Sequence, residues 1–187
     1  MTRPISFRSS VQSMALNPPI STRALAKQFG VQTPTSLEQI LTAIPLTFNF
    51  PDITFSNGVP IGGNAIVKLY PNGNYQFTGH MHQSTVVPYK YNIAIGIRDR
   101  SGRVYTFAHE YSFGVGVADD DFPYSGNNPD VAANWPDLLA GANWSLSQSA
   151  GPDFVAILNL LEKVVADITA AYGFVSKVIA VVGPLLA

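Results

Sequence analysis

The sequence predicts a mainly β protein: an antiparallel β-sandwich with short N-terminal helices and a long C-terminal helix. Three observations carry that expectation. Two turn motifs, Tyr70-Pro71-Asn72-Gly73 and Asp99-Arg100-Ser101-Gly102, each sit between segments of alternating apolar and polar residues. Pairing outward from each turn sets apolar against apolar on a single face, which is what a half-buried sheet requires. From Gly151 onward the alternation gives way to an apolar run with helical spacing.

Residues 1–45 read as an N-terminal basic arm with short helices. Thr22 is placed to cap one helix ending at Gly30, and Ser36 with Gln39 forms a capping box for another, Leu37–Ala43, stopped by Pro45. The string STRALAKQFGV resembles the first helix and turn of bacterial helix-turn-helix regulators. The next segment, TPTSLEQILTAIP, has no Lys or Arg where a recognition helix needs them. Nucleic acid is therefore not expected as a partner.

Residues 46–150 are assigned to the β-sandwich. Leu46, Phe48 and Phe50 alternate with Thr47 and Asn49 as a first strand. Both turns fit a type I turn followed by a Gly in the left-handed region, the three-residue hairpin loop. In the first hairpin Leu69 then opposes Tyr75, Val67 opposes Phe77 and Ala65 opposes Gly79. In the second, Ile97 opposes Tyr105, Ile95 opposes Phe107, Ile93 opposes His109 and Tyr91 opposes Tyr111. The seven-residue link Gln83–Tyr89 suggests that the hairpins form one meander. Residues 114–152 read as loop-rich, with a last strand around Leu146.

Residues 151–187 read as a C-terminal apolar helix. Gly151-Pro152-Asp153 is a helix start, Gly183-Pro184 an end, and the pattern between Phe154 and Val182 is continuous apart from Gly173. The polar stripe is narrow, so more than half the circumference is apolar, wider than the stripe of an ordinary surface helix. Four charges within the run argue against a conventional membrane span. The face offered for lipid or partner contact comprises Phe154, Ile157, Leu158, Leu161, Val164, Val165, Ile168, Phe174 and Val178.

Composition narrows the function classes. The 187 residues include no Cys, which excludes disulfide scaffolds, thiolate metal sites and Cys nucleophiles. Charged residues make up 12% of the chain, half the usual share of about 25%. A surface so sparsely charged offers little repulsion against association. The net charge of −1 hides a segregation, with a basic N-terminal end and five acids but no base between residues 116 and 152. The N-terminus lacks the unbroken apolar stretch of a classical signal peptide, so export, if any, is expected by a non-classical route.

The three histidines all fall in the expected meander. His80 and His82 share one face of a strand, about 7 Å apart by strand geometry. The Gly73–His82 stretch loosely resembles the first metal-binding motif of the cupin family, although six rather than five residues separate Gly73 from His80 and no Glu follows at the family's spacing. If both hairpins share a sheet, the hairpin registers bring Glu110 to that face, giving a two-His-one-carboxylate set of His80, His82 and Glu110. Asp119, Asp121 and Asp130 offer oxygens for calcium, without the spacing of a known calcium loop; consecutive Asp side chains point to opposite sides. No cofactor is otherwise indicated beyond a divalent metal. No phosphate loop, dinucleotide fingerprint or nucleophile elbow is present.

The reading these features favour is a non-enzymatic, membrane-active or toxin-like binding protein. The β-sandwich supplies recognition, and the C-terminal helix contacts a lipid membrane or further copies of the chain. In layout, a β-sandwich with a releasable amphipathic helix resembles the small pore-forming cytolysins. A structural subunit of a homo-oligomeric assembly and a cupin-like metal-dependent enzyme are the alternatives.

Overall fold

The computed structural model describes residues 44–56 and 58–184. The expectations for the basic arm and its helices lie outside the described residues. The chain forms two four-stranded sheets. One has the order β1 (Leu46–Thr54), β2 (Ile61–Leu69), β3 (Asn74–Gln83), β6 (Asp119–Asn127); the other has the order β7 (Asn143–Ala150), β4 (Lys90–Arg98), β5 (Arg103–Ser112), β8 (Lys177–Val182). All pairings are antiparallel except that of β5 with β8. Two short helices, α1 (Pro129–Ala133) and α2 (Trp135–Leu139), link β6 to β7, and α3 (Ile157–Tyr172) precedes β8.

Both hairpins have the registers the turns dictate. Leu69 opposes Tyr75 and Val67 opposes Phe77 in one; Ile97 opposes Tyr105 and Ile95 opposes Phe107 in the other. Gly73 and Gly102 close the turns with φ of 86° and 90°, a region that an L side chain enters only with strain. The two hairpins do not share a sheet. The β3–β4 connection carries the chain from the first sheet to the second, so their apolar faces meet instead of lying side by side. Val67, Leu69, Phe77 and Met81 of one sheet and Ile93, Ile95, Ile97, Tyr105 and Phe107 of the other are buried in one core. Phe77 and Phe107 meet edge to face at 5.8 Å, the arrangement aromatic quadrupoles prefer.

The strand β4 is buried on both faces. Its odd-numbered isoleucines enter the main core, and its small residues on the reverse face receive α3. There Leu160, Leu161, Val164 and Ile168 pack with Ala94, Val104 and Ala108 in a second buried cluster. Gly96 permits the closest approach: a Cβ built on it would lie 2.5 Å from Val164 Cγ1 and 2.8 Å from Ile168 Cδ1. Burying four such aliphatic side chains contributes about 1.5–3 kcal/mol each, enough to hold a 16-residue helix that would be marginal alone.

Two expectations are corrected. The continuous helix expected from Phe154 to Val182 is instead α3 followed by β8. Gly173, with φ of 86°, ends the helix. The backbone N–H of Ser176 then donates to Gly102 O at 2.8 Å, and the β-branched run Val178-Ile179-Ala180-Val181-Val182 extends along β5 with Ile179 in the main core. An apolar run satisfies either period, so helical spacing alone could not reveal the switch. The second correction is β6, which lies within the segment expected to be loop-rich. It sits at a sheet edge, where Pro123 is tolerated because no ladder donor is lost on the outer side.

Substituting Gly96 by Val forces α3 away from the sheet. We expect a loss of about 1–3 kcal/mol in the free energy of unfolding, read by urea denaturation followed by far-UV circular dichroism.

Candidate functional site

The strand β6 opens with three consecutive aspartates, and its two-residue period distributes them. Asp119 and Asp121 project from the outer face, while Asp120, Phe122 and Tyr124 turn inward between the sheets. The register with β3 sets Asp119 opposite His82 and Asp121 opposite His80. Outside, His82 Nδ1 lies 2.8 Å from Asp119 Oδ1, and His80 Nδ1 lies 2.9 Å from Asp121 Oδ1. His80 Nε2 is also 3.7 Å from Asp119 Oδ1. Inside, the third histidine, His109 of β5, lies 2.7 Å through Nε2 from Asp120 Oδ2. The chain has three histidines, and each is paired with one member of the aspartate run.

The inner pairing bridges the two sheets. Asp120 and His109 are both buried, and Tyr91 of β4 donates its hydroxyl to the same Asp120 oxygen. His109 Nδ1 lies 2.9 Å from the Tyr124 hydroxyl. With the imidazole neutral, one set of protons satisfies every contact: Nε2–H donates to Asp120, and Nδ1 accepts from Tyr124. The His109 ring stacks on Phe122 at 4.0 Å between centroids. Burial holds the His109 imidazole below its ordinary pKa, against the opposing pull of Asp120 and Glu110. Burial and then Asp120 push the Tyr91 phenol far above its ordinary range, and the same two influences raise that of Tyr124.

The order Tyr124–His109–Asp120 has the connectivity of a nucleophile, a base and an orienting carboxylate. Burial and the Asp120 charge hold Tyr124 as a neutral phenol. The network satisfies buried polar groups and ties β6 to the opposite sheet, since Tyr91, His109 and Asp120 would each be costly to bury alone.

The sequence-derived candidate sites are placed differently from expectation. Glu110 lies on the outer face of the second sheet, near Asn92 Nδ2, with both sheets between it and His80 and His82. The set of His80, His82 and Glu110 therefore does not assemble, because the hairpins face each other and do not share a sheet. Asp130 lies beyond the far end of β6, a strand length on the order of 25 Å from Asp119, and it pairs with Lys177 Nζ at 3.0 Å. Asp119, Asp121 and Asp130 consequently do not form a calcium site. Among the described residues, no three His, Asp or Glu side chains are already gathered as ligands around one point. Of the expected contact face on the C-terminal segment, Leu161, Val164 and Ile168 are covered by the sheet, Ile157 and Val165 are half-buried beside them, and Val178 is half-buried within β8. Phe154 is half-buried, whereas Leu158 and Phe174 remain exposed. No described helix is long and apolar enough to cross a membrane.

A second feature went unnoticed in the sequence. The β3–β4 loop (84–89) and the β5–β6 loop (113–118) lie together at one end of the sheets. The Phe113 N–H donates to Tyr89 O at 2.9 Å, and the Gln83 N–H donates to Ala118 O at 2.8 Å. Neither loop contains a charged residue. At their tips Val86 is 72% exposed and Val115 81%, with Val87 and Val117 also exposed. A gap in charge flanked by strands was the signal that could have found them; that for Asp120 and Tyr124 was the alternation within Asp120-Phe122-Tyr124.

No protein-family model matches the chain, and no curated protein or solved structure is significantly similar to it.

Two outcomes test the inner network. Replacing Asp120 by Ala leaves the Tyr91 hydroxyl and the His109 Nε2–H without an acceptor, at an expected cost of about 3 kcal/mol in unfolding experiments. The lowered pKa of His109 sets a sign for pH. The unfolded chain takes up a proton near pH 6.5, whereas the folded chain does so only at lower pH. Stability relative to His109→Gln should therefore be complete above that value and fall as the pH drops through the interval down to the folded value.

Proposed function

We propose that this chain is a non-enzymatic binding protein, a β-sandwich that engages a lipid surface through its paired apolar loops. The carrying observation is the cluster of exposed, uncharged valines at one end: Val86, Val87, Val115 and Val117. Monomeric proteins seldom leave such groups together in water without a use for them. A protein interface typically relies on aromatic or Arg anchors in a patch of about 800 Å² per partner. The exposed tips of these two loops carry valine and no aromatic or Arg side chain. A lipid surface needs no matching pocket, and each buried methylene contributes about 0.8 kcal/mol.

The C-terminal segment supports the same reading in a more limited way. Lipid contact through Leu161, Val164 and Ile168 requires α3 to leave the sheet, which forfeits the packing on Ala94, Val104 and Ala108. The loops make contact without that loss, so they are proposed as the first point of attachment. Phe174, 80% exposed, lies at the opposite end beside the β4–β5 turn, where its carbonyl accepts from Arg98. The same helix face would have to be released for self-association through it.

Flotation of the full chain with vesicles of phosphatidylcholine, with and without phosphatidylserine, tests this proposal. The wild type should float with vesicles, and the exposed-site variant Val86→Asp/Val115→Asp should remain at the bottom while keeping its circular dichroism. A wild type that never floats, or a double variant that floats equally well, refutes loop-mediated attachment. Light scattering of the same samples without lipid reports self-association as a separate outcome.

A further inference from the structure

We propose that the outer His–Asp ladder on β3 and β6 binds a divalent transition ion of the zinc class. His80, His82 and Asp119 serve as its ligands, and Asp121 is the carboxylate that orients His80. Ligands about 2.0–2.1 Å from a tetrahedral ion lie about 3.4 Å from each other. Asp119 Oδ1 stands 2.8 Å from His82 Nδ1 and 3.7 Å from His80 Nε2, so its two separations bracket that value. Without metal these groups satisfy one another by hydrogen bonding. Ion entry replaces the His82–Asp119 hydrogen bond: His82 Nδ1 gives its proton to solvent and Nε2 takes one up from solvent, so the ring stays neutral with its single N–H on Nε2.

The other nitrogen of His80 strengthens the assignment. Its Nδ1 is held by Asp121 Oδ1 at 2.9 Å, which fixes the ring and leaves Nε2 directed toward Asp119. A carboxylate on the far nitrogen is the usual outer partner of a metal-bound imidazole. The side chains of His80, His82 and Asp119 are each about half exposed, so an ion reaches them from solvent, and His82 and Asp119 adjust toward the ring that Asp121 holds. The two backbones are fixed by the β3–β6 ladder, which places His80 opposite Asp121 and His82 opposite Asp119. On the neighbouring strand Gly62 faces His82 and contributes no side chain, which leaves room for a water to complete the coordination. Two imidazoles and one carboxylate suit zinc, copper or nickel better than calcium, which takes oxygen ligands.

The composition makes the test decisive. The chain has no Cys and only three His, and His109 is enclosed between the sheets, so imidazole ligation at the surface must use His80 and His82. Isothermal titration of Zn²⁺ into the tag-free full chain should give one equivalent with a dissociation constant in the micromolar range. His80→Ala, His82→Ala and Asp119→Asn should each remove that binding, and Asp121→Asn should weaken it by about tenfold or more. Glu110→Gln should bind as the wild type does, and circular dichroism should show all these exposed-site variants folded. Absence of micromolar binding by the wild type, retention of binding in His82→Ala or Asp119→Asn, or loss in Glu110→Gln would overturn the site.

Discussion

The architecture depends on one buried carboxylate. Asp120 is taken from water at the edge of a sheet, and among the described residues its donors are groups of the facing sheet, the Tyr91 hydroxyl and His109 Nε2. An unpaired buried charge costs several kcal/mol, whereas one with two good donors need not. The strand that carries it is a poor strand by composition: Asp119-Asp120-Asp121-Phe122-Pro123-Tyr124-Ser125-Gly126-Asn127 has two aromatics and little else that favours extended structure. Cross-sheet hydrogen bonds and the stacking of Phe122 on His109 stabilise what intrinsic propensity does not. The two-residue period then commits Asp119 and Asp121 to the outer face beside His82 and His80. A single geometrical rule thus yields an interior tie and an exterior donor cluster from three identical residues.

The second sheet shows the same economy of sequence. With Ile93, Ile95 and Ile97 toward the core and Ala94 and Gly96 toward α3, β4 is covered on both faces. Small residues on the reverse face let a helix approach closely, and the helix in turn supplies the apolar cover that an edge-rich sheet lacks. This arrangement explains how a chain with few charges can hide most of its apolar segments. Exposed apolar side chains remain at the loop tips around Val86 and Val115, and elsewhere at Phe174, Leu139 and Trp144.

Much of this was legible in the residues. Tyr70–Gly73 and Asp99–Gly102 specify their turns chemically, and once a turn is fixed the alternation on either side fixes every cross-strand pair. What local pattern does not specify is which sheet a hairpin joins. Glu110 was therefore grouped with His80 and His82 although the two sheets lie between them. The run Val178–Val182 carries a helical pattern as readily as a strand pattern, because an apolar segment fits either period and its partner, β5, is far away in sequence. The segment Asp119–Asn127 has the composition of a loop, because acids, Pro and Gly outweigh its alternation. Its strand character comes from partners 37 and 41 residues away, His82 and His80. Alternation alone sends the three aspartates to opposite sides, yet only tertiary placement shows that each side holds histidine.

The tie between the sheets is most directly measured at the imidazole of His109. Long-range ¹H–¹⁵N correlation spectra recorded as a function of pH resolve the histidines, and His109→Gln identifies its signal by loss. The account predicts that this ring titrates below an ordinary imidazole and carries its proton on Nε2 when neutral. A His109 ring that titrates at or above about 6.5, or whose neutral form is protonated on Nδ1, would contradict it.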